Sequence, residues 1–339
     1  MSFSTNESFS ANFLPLTLEE YFAQHKFQGD LPIHFSLNDD DLTIGTETVT
    51  TVQTFELVVF SNLSLQKLVA LQSSCQLSIE TLQAINSRNN QTSYRFSVST
   101  ENFIQSRKAL ADFTLAENIE AALINKAPKL NEPGLLVMDM DSTTIEIECI
   151  DEIAKLAGVG EQVAAVTELA MQGELDFAQS LHQRVATLEN APEKILADVA
   201  KNIPLMAGLE TLIAELKKHN WRIAVASGGF TYFADHLKDM LALDDTFANV
   251  LEIVDGKLTG KVLGGVVDAQ VKADSLQLLA EKYQIPAEQT VAMGDGANDL
   301  VMMAAASFGV AFHAKPIVLA QADSTINQQG LDCLLHWLA

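Results

Sequence analysis

Apolar positions along this chain change their period in a way that divides it. Thr54–Ser61 and Thr92–Ser99 are rich in β-branched and aromatic residues, as half-buried strands are. Between them Leu63, Leu65, Leu68, Val69 and Leu71 fit one face of a short helix, and a second helix is expected over roughly Lys108–Ile124. Residues 1 to about 45 are polar and weakly periodic. Ala127-Pro128-Lys129-Leu130-Asn131-Glu132-Pro133-Gly134 concentrates two prolines and a glycine, which reads as a linker and places a domain boundary near 125–133.

Beyond it, strand-like runs at 135–139, 221–226, 290–294 and 307–312 alternate with helical patterns at 207–219, 271–283 and 297–305. That rhythm predicts an α/β fold with a parallel sheet and crossover helices. Residues 149–205 carry Leu156, Val163, Val166, Leu169, Phe177, Leu181, Val185 and Leu188, the pattern of a helical cap inserted between the first two strands. Val254-Asp255-Gly256-Lys257-Leu258 predicts a hairpin. The expected organisation is an N-terminal α+β domain over 1–127, a doubly wound core from 128–148 and 206–339, and a helical cap over 149–205.

A length of 339 residues fits about two domains, and 48% hydrophobic residues suffice for their cores. The 44 acidic against 21 basic residues give a net charge of −23. Such a field repels nucleic acid and anionic membranes, so neither is expected as a partner, and an anionic small molecule must be drawn in by local cations. Cys75, Cys149 and Cys333 are odd in number and scattered, fitting neither a disulfide framework nor a metal cluster, and a cytoplasmic location is expected. Met1–Glu20 lacks the basic and apolar regions of a secretory signal, and the longest apolar stretch, Val301–Phe312, is too short to span a bilayer.

The candidate chemistry begins where the first strand of the core ends. Leu135-Leu136-Val137-Met138-Asp139-Met140-Asp141 sets two carboxylates two residues apart, on one side of an extended chain. Such a pair alone also fits a solvated pair capping a following helix. Further signals follow at strand ends: Ser227-Gly228-Gly229, suited to offering a hydroxyl and backbone N–H groups to a phosphate, and Gly294-Asp295-Gly296-Ala297-Asn298-Asp299. Open parallel sheets bind ligands beyond the carboxyl ends of their strands, so these segments converge on one cleft. Lys272 opens a helix, where its charge opposes the helix dipole unless an anion compensates. Asp139, Asp295 and Asp299 form an all-oxygen set suited to Mg²⁺.

These motifs resemble those of the haloacid dehalogenase superfamily over about residues 130–330. Asp139–Thr143, Ser227, Lys272 and Gly294–Asp299 match its four motifs in order. Within it, Glu148 and the stretch Met171-Gln172-Gly173 through Phe177, Ser180-Leu181 and Arg184-Val185 resemble the cap signature of the phosphoserine phosphatases, with His182 where a more basic residue is expected. The resemblance implies Mg²⁺-dependent hydrolysis of phosphoserine. In it Asp139 is the nucleophile, Asp141 the general acid and base, and Asp139, Asp295 and the backbone carbonyl of Asp141 the metal ligands, with Asp299 behind them. Glu148, Arg184, Ser227, Gly228, Lys272 and Asn298 bind substrate. Two other readings stand beside hydrolysis: phosphotransfer to a hydroxyl such as that of homoserine, and a catalytically dead amino-acid-binding regulator. The N-terminal region weakly resembles ligand-binding ACT-like domains, and a spacer or homodimer contact fits it equally.

Overall fold

A computed structural model describes residues 7–10, 14–24, 31–37, 41–45 and 54–339, so part of the reading of Met1–Glu20 lies outside the described residues. The chain clusters into two compact units, residues 1–127 with 323–339, and residues 128–322.

The first unit holds one antiparallel sheet, built from β1 (Glu7–Ser10), β2 (Ile33–Leu37), β3 (Asp41–Gly45), β4 (Phe55–Phe60), β5 (Ser78–Arg88), β6 (Gln91–Ser99) and β7 (Ala121–Ile124), in the order β1-β3-β2-β5-β6-β4-β7. Helices α1 (Leu18–Gln24), α2 (Leu65–Cys75) and α3 (Phe103–Glu117) lie among its described residues. The expected helix over Lys108–Ile124 is two elements. Asn118 takes a left-handed φ of 52° and ends α3, and the wholly buried run Ala121–Ile124 continues as β7 against β4. The long strand β5 was not anticipated.

Residues 323–339, expected in the catalytic core, cluster instead with this first unit. Trp337, Leu334 and Leu331 are fully buried, and the Trp337 ring lies 5.8 Å from that of Phe60. Arg95 Nη2 donates to the carbonyls of His336, Trp337 and Leu338 at 3.1, 3.0 and 2.8 Å, satisfying the end of the short helix Leu334–Trp337. The Glu120 carboxylate accepts the N–H groups of Asn327, Gln328 and Gln329 at 2.9, 2.7 and 3.2 Å.

In the second unit, β8 (Leu135–Met138) is central. β9 (Arg222–Phe230) pairs parallel on one side of it and β12 (Thr290–Gly294) on the other. Outside them lie β10 (Asp245–Val254) and β13 (Phe308–Phe312), both parallel, and β11 (Lys257–Leu263) closes one edge antiparallel to β10. All four residues of β8 are buried, as expected of a strand covered on both faces. The β10–β11 hairpin turns through Asp255 and Gly256 at φ 51° and 72°, the paired left-handed geometry that Asp-Gly favours.

Between β8 and β9 run α4 (Cys149–Ala157), α5 (Gly160–Met171), α6 (Phe177–Ala186), α7 (Lys194–Ala200) and α8 (Leu209–Lys218); α9 (Thr231–Leu241), α10 (Ala269–Tyr283) and α11 (Leu300–Ala305) complete the crossovers. The proline-rich stretch before β8 is fastened to this unit. The Gln289 amide donates to the carbonyls of Lys129, Glu132 and Pro133 at 3.1, 3.3 and 3.3 Å, and Trp221 Nε1 donates to that of Leu130 at 3.0 Å.

Because the chain leaves β8 toward β9 and later returns to its other side as β12, the connections from neighbouring strands diverge at β8. A crevice opens there beyond the strands' carboxyl ends.

Candidate active site

β8 ends at Met138, so Asp139 and Asp141 lie in the turn that follows the strand. The carbonyl of Met140 accepts the N–H groups of Thr143, Thr144 and Ile145 at 3.3, 2.8 and 3.0 Å, which folds the turn tightly. Met140 is fully buried beneath it, while the two carboxylates on either side face a cavity of about 370 Å³.

The Asp139 main-chain N–H donates to Met293 of β12 at 2.9 Å, fixing the residue to the sheet. Its Oδ1 accepts from Met140 N–H at 2.7 Å and pairs with Lys272 Nζ at 2.8 Å. Lys272 also donates to Asp299 Oδ1 at 2.8 Å. Burial alone would push the lysine's pKa down, but the two carboxylates more than offset it and hold the ammonium charged. Asp299 is completely enclosed and accepts Gly296 N–H at 3.0 Å. A Cβ on Gly294 would fall on the Asp299 side chain, which is why glycine ends β12.

Asp141 accepts Cys149 N–H at 3.2 Å at the start of α4. Burial first, then the negative charges of Glu148 and Asp139, push its carboxyl up to about 8. Asp295 is raised to about 6 by burial, Asp139 and Glu148, with Lys315 opposing. One oxygen from each of Asp139, Asp295 and Asp299 lies within 4.8 Å of the others. Among the described residues no other such group of three occurs.

The loop Ser227-Gly228-Gly229 was expected after its strand and is instead the extended end of β9. Its glycines do not both offer free N–H groups, because Gly229 N–H donates to Ser227 Oγ at 2.8 Å. A Cβ on Gly228 would strike the Phe177 ring of the cap, so glycine here lets cap and core approach closely.

Glu148 Oε1 accepts the Ser142 hydroxyl at 2.8 Å and faces the cavity from the start of α4. Arg184 on α6 lines the same cavity, half-buried, with its Nε without a hydrogen-bond partner. Burial lowers its pKa while Glu148, Asp151 and Asp141 oppose that shift. Asp139, Asp141, Glu148, Arg184, Ser227, Gly228, Asp295 and Asn298 thus line one cavity. Lys272 and Asp299 are not on its wall and lie behind Asp139. His182 is exposed on α6 and outside the lining.

Sequence reasoning missed Asp151, Phe230 and Lys315, which also line the cavity. Lys315 follows β13 at a strand's carboxyl end, the same positional signal that flagged the other loops.

A profile of haloacid dehalogenase-like hydrolases matches residues 134–307, more than half of the chain and the whole span from Asp139 to Asp299. The chain belongs to the haloacid dehalogenase-like hydrolases. Among curated members, it is 60% identical over 216 residues to the phosphoserine phosphatase of Vibrio cholerae, covering 64% of this chain and 66% of that one. It is 59% identical over 227 residues to the phosphoserine phosphatase of Haemophilus influenzae, covering 67% and 72%. A crystal structure of a probable phosphoserine phosphatase from Vibrio cholerae superposes with a TM-score of 0.72 at 46% identity, covering 86% of this chain and 88% of that one. A substrate-bound phosphoserine phosphatase complex superposes at 0.58 and 41% identity, covering 61% of this chain and 99% of that one. As a hydrolase fold of this family, the second unit is the doubly wound core with its helical cap. No helix among the described residues is long and apolar enough to cross a membrane.

Proposed function

We propose that this chain hydrolyses O-phospho-L-serine to L-serine and phosphate through an aspartyl-phosphate on Asp139, the last step of serine biosynthesis. The observation that carries it is that Glu148 and Arg184, each within electrostatic reach of the other, line the same cavity as Asp139 and Asp141. Phosphoserine presents an ammonium and a carboxylate besides its phosphate; Glu148 pairs with the first and Arg184 grips the second in bidentate fashion.

Both donors to Asp139 fall on Oδ1, so Oδ2 is the oxygen presented to phosphorus. Asp141, kept protonated by its surroundings, gives a proton to the departing serine oxygen and then takes one from the water that opens the acyl phosphate. Ser227, Gly228 and Asn298 contact the phosphoryl oxygens from the walls.

Three clustered carboxylate oxygens, two of them on acids raised by burial and then by the charge of Asp139, are a hard-donor set that fits Mg²⁺. Asp139, Asp295 and the Asp141 backbone carbonyl would hold the ion, with Asp299, already paired to Lys272, behind them. When bound, the ion neutralises phosphoryl charge and lowers repulsion against the nucleophile.

The test is phosphate release from phosphoserine, phosphoethanolamine and 3-phospholactate, with Mg²⁺ or EDTA and with homoserine added. Hydrolysis should favour phosphoserine, need Mg²⁺ and vanish in Asp139→Asn. Phosphohomoserine as the main product would replace hydrolysis by phosphotransfer. Turnover of none of the substrates would leave the regulatory reading.

A further inference from the structure

We propose that Asn249 is a positioning residue that sets the phosphate-facing geometry of the Ser227-Gly228-Gly229 segment. The proposal deepens the function above and rests on it only for the identity of the substrate.

Asn249 lies on β10 and is 1% exposed. Its Nδ2 donates to the carbonyls of Gly228 at 2.8 Å and Gly229 at 3.2 Å. Its Oδ1 accepts Val267 N–H at 2.8 Å. Two acceptors at one end and a donor at the other admit a single orientation of the amide.

A trans peptide holds its C=O and N–H on opposite sides. Drawing the carbonyls of Gly228 and Gly229 toward β10 therefore turns the N–H groups of Gly229 and Phe230 the other way. Gly229 N–H is found there, on Ser227 Oγ, and Phe230 is on the cavity wall. With an N–H already given to its oxygen, the Ser227 hydroxyl keeps its own proton for a phosphate oxygen. The β9–β10 ladder shifts register between Phe247 and Asn249, so at this point a side chain takes up carbonyls that the interrupted ladder does not.

The other end of the amide reaches the helix that carries Lys272. Val267 precedes Asp268, whose side chain caps α10 by accepting Val271 N–H at 2.9 Å. One buried amide thus links the segment bearing Ser227 to the start of α10.

The experiment compares Asn249→Asp and Asn249→Ala with the wild type in saturating Mg²⁺. The aspartate keeps the shape and the bond from Val267 but turns a carboxylate oxygen on two carbonyls. Measured are kcat and KM for phosphoserine, the competitive inhibition constant of inorganic phosphate, and Tm. We expect kcat/KM to fall about 10- to 100-fold, as when an orienting partner is lost, with the phosphate inhibition constant rising in step. Asn249→Ala is read alone if Asn249→Asp aggregates. Wild-type kcat, KM and phosphate inhibition in a folded variant, whatever its Tm, would overturn the proposal. So would failure of both variants to fold, since that assigns Asn249 to the fold and not to the site. If the wild type turns over another monoester and not phosphoserine, the substrate reading fails alone, and the same constants on that monoester still decide the role of Asn249.

Discussion

Lys272 Nζ lies 2.8 Å from Asp139 Oδ1 while donating to Asp299 Oδ1 at the same distance, so one buried ammonium holds together the proposed nucleophile and the acid behind it. The lysine is 1% exposed. Its place at the first turn of a helix, unfavourable against the dipole, is explained by the two carboxylates it faces.

Lys272→Ala should leave two buried carboxylates without their cation. Removing one partner of a buried ion pair costs about 3–5 kcal/mol, so Tm should fall clearly when melting is followed in EDTA, where no added cation substitutes. Phosphate release should drop below detection at the same time. A melting curve unchanged from the wild type would show that the ammonium does not hold Asp139 and Asp299 together.

On the proposed function Glu148 and Arg184 divide the amino-acid end of the substrate between them, and analogues separate their roles. Arg184→Ala should weaken kcat/KM for phosphoserine by about 1.5–3 kcal/mol, as for a lost charge-assisted hydrogen bond. It should barely change phosphoethanolamine, which has no carboxylate. Glu148→Gln should harm both of these substrates and spare 3-phospholactate, which lacks the amine. Equal losses on all three would reassign the pair to cap closure.

His336 gives the first unit a pH dependence. Its Nδ1 lies 2.8 Å from Ser93 Oγ and its Nε2 2.9 Å from Asn89 Oδ1. Burial, then the charges of Arg88 and Arg95, lower its pKa from 6.5 to about 4. The folded state therefore binds fewer protons than the unfolded one. The stability this confers is complete above about pH 6.5 and is lost as pH falls toward 4, at up to about 1.4 kcal/mol per pH unit. Urea unfolding of the full chain, followed through Trp337 fluorescence in a Trp221→Phe background, should weaken across that window, and His336→Gln should flatten the slope. An unchanged slope in that variant would mean other groups carry it.

The parallel core was legible because its strands are short, continuous apolar runs bounded by Asp, Ser-Gly or Gly-Asp, a combination with few other readings. The N-terminal unit was less so. In Lys108–Ile124 the apolar run Ala121–Ile124 fits a helix end as well as a strand, and only the left-handed Asn118 separates them. β5 escaped notice because most of its residues are partly exposed and polar, and its pairing with β6 is tertiary information. Within the site, Asp139, Ser227 and Asp295 announced themselves through neighbouring glycines and acids. Lys315 had a strand-end position but no neighbouring glycine or acid to draw notice, and Asn249 carries no local signal, since what it does depends on which carbonyls the fold brings to it.

The same distinction decides how the chain can be divided. The catalytic unit was expected to run from about residue 128 to the C-terminus, but residues 323–339 cluster with the first unit. There Leu331, Leu334, Leu335, Trp337 and Leu338 are all buried. A fragment 128–339 would carry those side chains without the residues that cover them, and a buried tryptophan alone hides on the order of 150–250 Å². A fragment 128–322 exposes none of them and keeps every residue lining the cavity, together with Lys272, Asp299 and Asn249. We expect 128–322 to be monodisperse by light scattering and to turn over phosphoserine within about tenfold of the full chain, a loss comparable to that of one modest interaction. The fragment 128–339 should self-associate under the same conditions, and Trp337→Ser in it should lessen that. If 128–322 proves unfolded while 128–339 is soluble and active, the C-terminal segment belongs to the catalytic core, and Glu120 and Arg95 hold it only in passing.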